Sequence, residues 1–285
     1  MDSIERGRRL ARFFTREVVR SIAKSGHKSE MVTSLRSFLG RSEADLAIGP
    51  LFDEGFRELN NKYRCEYVYK AHIVNKLVFG RHSPRTASVQ TELQVGKSVA
   101  DIVVFNGTST AYEIKTEFDT SRRLETQTAD YLKVFDNVYV VTHPDLIRKY
   151  SDIVPDRVGV IALTARNRLS ERKSAISNVD SVSSRSIFRI MRQSEYMEAV
   201  VNAYGEQPPI PNGVLFKHYE ALFSKLKPRD AHAALVSAFR MRTTSVEMAD
   251  YLSCLPASLR ALGYATPLSA LQRGRVSQAM GVFGK

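Results

Sequence analysis

Along the first 80 residues apolar positions recur every three or four residues, the period of helices that bury one face. Leu10, Phe14, Val18 and Ile22 form one such line, and Arg8, Arg12, Arg16, Arg20 and Lys24 form a basic line opposite. This spacing predicts a single amphipathic helix up to Lys24, followed by helical stretches at 31–39 and 51–59. Residues 63–79 keep the period through Tyr67, Ala71, Val74 and Val78, and Gly80 with Pro84 marks the exit. The period then falls to two. Residues 89–95 alternate, and 99–105 and 110–116 are rich in Val, Ile and Tyr around Asn106-Gly107, a strong hairpin signal. Helical spacing returns at 121–135, and short apolar runs at 138–141 and 158–163 suit buried strands. Residues 166–186 are polar and serine-rich, and the remainder reads as helical at 187–204, 216–226, 231–242 and 246–252.

The expected organisation is therefore an N-terminal helical arm (1–60), an α/β core (61–165), a polar linker (166–186) and a C-terminal helical region (187–285). Composition narrows the function classes. With 43% hydrophobic and 25% charged residues the chain of 285 residues has the makeup of a folded protein. Two cysteines, Cys65 and Cys254, are too few for a disulfide scaffold, and the six histidines show no metal-ligand spacing. The opening residues lack the apolar segment of a signal peptide, and no apolar run approaches the ~20 residues a membrane span needs. A cytoplasmic location without a transmembrane segment is expected. The net charge of +12 favours a phosphate-rich partner, because neutralising phosphates releases counterions. Charge alone does not choose among DNA, RNA and an anionic membrane.

One cluster carries candidate chemistry. Asp101 lies on the first arm of the expected hairpin, and Glu113-Ile114-Lys115 lies on the second. The two-residue period of a strand sends Glu113 and Lys115 to one face and Ile114 to the other. Two carboxylates on neighbouring strands could hold Mg²⁺ or Mn²⁺, with the Lys115 ammonium stabilising charge on a phosphodiester. That requires Asp101 to pair with Glu113, which a two-residue loop forbids and a three-residue or bulged loop at Gly107 allows. The competing reading is a cross-strand charge ladder. A second acid-x-Lys string, Glu171-Arg172-Lys173, has no evident strand context.

The runs Ala100-Asp101-Ile102-Val103-Val104-Phe105 and Tyr112-Glu113-Ile114-Lys115, followed by a helix carrying Gln127, resemble the PD-(D/E)xK, or restriction-endonuclease-like, nuclease superfamily, in its stand-alone bacterial and prophage form. The resemblance covers about 61–165, and Ala100 stands where the family name has proline. It implies a mixed central sheet in the order α-β-β-β-α-β. It also implies a metal-dependent endonuclease, a phosphodiester hydrolase acting on DNA more readily than RNA in phage defence or prophage competition. Asp101, Glu113 and the Ile114 carbonyl would be the metal ligands and Lys115 the catalytic lysine, with Gln127 and Glu66 supporting the site. Arg122 and Arg123 at the helix start, with Arg12, Arg16 and Arg20, are candidate nucleic-acid contacts, and Glu92 could reach the cluster from the first strand. A homodimer is an open alternative, since many nucleases that cut both strands pair two sites. A non-catalytic nucleic-acid-binding or regulatory protein with a nuclease-like core is the alternative function, and a toxin-like RNase another.

Overall fold

The computed structural model describes residues 2–42 and 47–281, so residues 43–46 of the expected helical arm lie outside the described residues. Five helices open the chain: α1 (Ser3–Ala11), α2 (Arg16–Ser25), α3 (Glu30–Leu39), α4 (Ile48–Lys62) and α5 (Glu66–Ile73). Strands β1 (Ser88–Val95), β2 (Ser98–Phe105) and β3 (Ser109–Lys115) follow, then α6 (Leu124–Leu132), β4 (Asn137–Thr142), α7 (Ile147–Ile153), β5 (Gly159–Leu163) and β6 (Leu169–Lys173). The remainder is helical: α8 (Ser184–Phe188), α9 (Gln193–Tyr204), α10 (Asn212–Phe223), α11 (Pro228–Met241), α12 (Val246–Cys254), α13 (Arg260–Ala265) and α14 (Ala270–Ala279). The class is mixed α/β, a six-stranded mixed sheet with flanking helices. Two compact units divide the chain, one of Met1–Thr86 with Thr243–Lys285 and one of Ala87–Arg242. Among the described residues no helix is long and apolar enough to cross a membrane.

The first unit is helical. The basic stretch expected as one helix is two, because the chain leaves helical geometry between Ala11 and Arg16. The break turns Phe14 inward, where its ring meets Phe52, Phe56 and Tyr67 at centroid distances of 5.9, 5.7 and 5.3 Å. Burying that ring outweighs an unbroken hydrogen-bond ladder, and the line of arginines is split with it. Beyond α5 the helix widens into a π-turn at Val74–Phe79. There the Asn75 amide donates to the carbonyls of Ala71 and Ala257, both at 2.8 Å, so a side chain competes for an acceptor of the ladder. Residues 243–281 join this unit through α13 and α14, which pack on α2, and through the 256–260 loop. Asp53 accepts the Ser258 N–H at 3.1 Å, Tyr67 donates its hydroxyl to the Ser258 carbonyl, and Arg260 lies 4.0 Å from the Phe79 ring centroid.

His72 makes this unit acid-sensitive. Its Nε2 lies 3.0 Å from Asn60 Oδ1, and burial, with Arg64 and Lys76 nearby, pushes the imidazole down to about 4. The folded state favours the neutral ring, whereas the unfolded chain takes up its proton near the ordinary value of about 6.5. Stability is therefore fully present above that value and is lost as pH falls towards 4. The urea midpoint should fall steadily from pH 6.5 to 4.5, and more shallowly in His72→Gln. Part of the slope should persist, since burial lowers His232 of the second unit in the same direction. Parallel slopes for the two proteins would count against this account.

In the second unit the strands lie in the order β1-β2-β3-β4-β5-β6. β1–β2, β2–β3 and β5–β6 are antiparallel, whereas β3–β4 and β4–β5 are parallel. Parallel neighbours need a crossover, and α6 and α7 supply the two. The core gathers Val103, Phe105 and Ala111 of the sheet with Tyr131 and Phe135, and continues to Phe188, Phe223 and Phe239 of the later helices. Phe105 sits 4.7 Å from Phe239 and 6.4 Å from Phe135 by ring centroid. These contacts explain why α8–α11 belong with the sheet.

The segment expected as a loose linker is built into the fold. It supplies β6 at one edge of the sheet, so the Glu171-Arg172-Lys173 string does lie on a strand. Asp136 then anchors 177–179: one carboxylate oxygen accepts from the Ser177 hydroxyl at 2.5 Å and from the Asn178 and Val179 N–H groups at 3.0 Å each. The other accepts from the Thr108 hydroxyl at 2.6 Å. Burial alone would raise this carboxyl, and the bonds from Ser177, Thr108 and Asn178 outweigh it and hold it below its usual range. Serine-rich composition here records side chains used in turns, not disorder.

Candidate functional site

The β2–β3 hairpin decides the geometry. Its ladder runs from Ile102 opposite Tyr112 to Phe105 opposite Ser109. Asn106, Gly107 and Thr108 therefore make a three-residue loop, closed by the Asn106 N–H on the Thr108 carbonyl at 2.9 Å, with Gly107 at φ 72°. Carried one step past Ile102, this register sets Asp101 opposite Glu113, as the expected odd-length loop requires. Both carboxylates act on the Tyr131 phenol. Asp101 Oδ2 accepts the Ile114 N–H at 2.8 Å, so the carboxylate replaces a strand carbonyl where the ladder ends.

Glu113 is buried, 2% exposed, and both its oxygens are taken. Oε1 accepts from Lys115 Nζ at 2.7 Å and from Gln127 Nε2 at 2.6 Å, and Oε2 faces the Tyr131 hydroxyl at 2.8 Å. Lys115 Nζ, 8% exposed as a residue, also donates to Gln127 Oε1 at 3.0 Å. Gln127 thus gives its amide to the acid and its carbonyl to the ammonium. The Tyr131 hydroxyl has one proton for two acceptors, Glu113 and the Val99 carbonyl at 2.7 Å. Burial first, then the Glu113 carboxylate, pushes the phenol up, so Tyr131 stays a donor. Gln127 and Tyr131 are four apart on α6, and that spacing aims both at β3. The cluster is a buried ion pair bridged by an amide and flanked by a phenol.

Ile114 sits in the parallel ladder opposite Val141. Glu92 is exposed at φ 53°, and the β1–β2 ladder pairs Thr91 with Ile102 and Leu93 with Ala100 while passing over Glu92 and Asp101. Arg122 and Arg123 are exposed just before α6. Glu66 belongs to the first unit, where Lys70 holds it at 2.5 Å, an ordinary pair four residues apart. Arg12, Arg16 and Arg20 belong to that unit too, with Arg20 3.7 Å from Glu17. Two tight polar contacts escaped the sequence reading: the Asp136 anchor, and Ser109 Oγ against His232 Nε2 at 2.7 Å. Neither has a sequence signal, because each joins residues far apart in the chain.

Asp101 Oδ2 thus accepts a backbone N–H, and Glu113 accepts from an ammonium, an amide and a phenol. Among the described residues no three His, Cys, Asp or Glu side chains gather as a metal site.

Comparison with known proteins corrects the family assignment. The family model described as Bacteriophage P4 protein cII matches residues 59–259. Protein cII of Enterobacteria phage P4 is 30% identical over 108 residues, a match that covers 36% of this chain. The same match spans 36% of that phage protein, about a third of its length. No solved structure matches the chain. The match overturns the PD-(D/E)xK assignment, and with it the reading as a DNA-hydrolysing nuclease of phage defence or prophage competition. The acid–lysine string that carried the resemblance is, in three dimensions, the buried pair of a strand-and-helix network.

Proposed function

This chain belongs to the bacteriophage P4 protein cII family, and we propose that it is a non-catalytic regulatory protein acting through bound nucleic acid. Family membership carries the reading, since the match runs through the whole sheet and the helices packed on it. Two properties support it. The net charge of +12 favours a polyphosphate partner, and the strongest candidate for a catalytic group, Glu113, has both oxygens committed inside the fold. DNA is the proposed ligand ahead of RNA, in the cytoplasm, with one copy or two bound per site.

Titration of fluorescent duplex DNA and duplex RNA with the full chain in EDTA, from 50 to 300 mM salt, tests this. Binding without divalent metal is expected, with the logarithm of the affinity falling linearly against that of the salt concentration. No shortened products should form when Mg²⁺ or Mn²⁺ is added. Failure to bind either nucleic acid at 50 mM salt overturns the proposal, as do metal-dependent products that vanish in Lys115→Ala.

A further inference from the structure

We propose that the β5–β6 hairpin is an arginine arm that grips duplex DNA by its phosphates, an inference that rests on the nucleic-acid reading above. The arm is stiff. The Thr164 N–H donates to the Arg168 carbonyl and the Asn167 N–H to the Thr164 carbonyl, both at 2.9 Å. The Arg168 N–H donates to the Thr164 hydroxyl at 3.1 Å. Asn167 takes the left-handed conformation, φ 57°, that such a turn needs and asparagine tolerates.

Down the arm, Ile161 pairs with Glu171 but Val160 pairs with Lys173. Arg172 is the extra residue of a β-bulge, on the edge strand of the sheet. A bulge re-aims a side chain and bends the strand. Arg166, Arg168 and Arg172 are all exposed.

The charges of the arm are sorted. Its one carboxylate, Glu171, is used inside the fold by the Tyr139 hydroxyl at 3.2 Å and by the Ser174 hydroxyl. Lys173 Nζ donates to the Pro155 carbonyl at 3.2 Å. None of the three arginines has an acidic partner among the described residues. Four arginines elsewhere in the same unit do: Arg185 and Arg189 share Glu220 at 3.1 and 2.9 Å. Arg229 holds Asp180 at 2.5 Å, and Arg242 holds Glu195 at 2.6 Å. An unpaired guanidinium keeps its whole fork of donors for an outside acceptor, and phosphate matches that fork.

Edge protection explains a charge and a bulge on β6. It does not explain three partnerless arginines that include two on the turn. The shape selects among nucleic acids. A two-stranded ribbon enters the major groove of B-form DNA, about 12 Å wide, whereas the deep, narrow major groove of A-form RNA shuts it out.

The test compares the full chain with the triple variant Arg166→Ala, Arg168→Ala, Arg172→Ala, and with Arg148→Ala, Lys217→Ala, Lys225→Ala, three exposed cations of the same unit, as a control for lost charge. Anisotropy of labelled duplex DNA is read across the salt series. The triple variant should bind at least tenfold more weakly at 0.1 M salt, with a log–log salt slope shallower by about 2–3, one unit per lost phosphate contact. The corresponding Arg→Lys triple variant keeps the charges and should hold most of the slope. Circular dichroism should coincide for all, because the substituted side chains are exposed. A wild-type protein that binds DNA while the triple variant matches it in affinity and slope overturns the arm but leaves the general reading intact. The same holds if the triple variant loses no more than the control. A wild-type protein that binds no DNA overturns both, and arm-dependent preference for duplex RNA overturns the choice of DNA.

Discussion

Replacing Lys115 by alanine should cost about 3–5 kcal/mol of unfolding free energy, since it strands a buried carboxylate without its counter-charge. Glu113 is 2% exposed, and among the described residues Lys115 is the one cation bonded to it, at 2.7 Å. The neutral partners Gln127 and Tyr131 would remain, at 2.6 and 2.8 Å, and water has little access to make up the loss. Glu113→Gln keeps a hydrogen-bonding shape but leaves the Lys115 ammonium without its counter-charge, so it should cost a comparable amount. The double variant Glu113→Gln, Lys115→Met should be more stable than Lys115→Ala alone, since no charge is left buried without a partner. Urea unfolding of the three variants measures this directly. A Lys115→Ala protein within 1 kcal/mol of the wild type would show that the pair is solvated in the folded chain.

Gly159→Val should be the other severe substitution. Gly159 pairs with Tyr139 across the parallel β4–β5 ladder. A Cβ at 159 would run into the Tyr139 ring and would come within 2.7 Å of the Ala175 backbone nitrogen. The ring cannot swing away freely, because it stacks on Tyr112 at 5.9 Å and its hydroxyl meets Glu171 at 3.2 Å. The backbone nitrogen cannot move without shifting the segment after β6. Overpacking of this kind costs about 1–3 kcal/mol, and more where backbone must yield. The loss should show in the urea midpoint and be partly relieved by a second change, Tyr139→Ala. Equal losses in Gly159→Val with and without Tyr139→Ala would put the clash elsewhere.

The same residues show what the sequence could disclose. Period-two alternation and Asn106-Gly107 placed the hairpin, and the demand that Asp101 face Glu113 led to a three-residue or bulged loop, of which the Phe105–Ser109 pairing shows the first. Helices α3 to α5 and strands β1 to β5 follow from local periodicity for the same reason: each buries one regular face. The break at 12–15 escaped because it is driven by Phe14 meeting rings 38 or more residues away. β6 escaped because an edge strand of polar residues, with a bulge at Arg172, has no alternation to detect. At the candidate site the residue types were legible and their use was not. Glu113, Lys115 and Gln127 do converge, yet acid, ammonium and amide bind one another. Spacing along two strands reports which groups share a face. It does not report whether a lone pair is left over once α6 has docked.

The helical unit is written in two pieces, residues 1–86 and 243–285, with 156 residues of the other unit between them. A ribosome must therefore finish the sheet-bearing unit before the clamp of Asp53 and Tyr67 on Ser258 can form. During synthesis the N-terminal helices wait with only the part of their apolar surface that residues 243–281 cover left open, while the later unit can already close on itself. Newly made chains thus pass through a stage with one unit whole and the other incomplete, the stage at which a chaperone has most to protect.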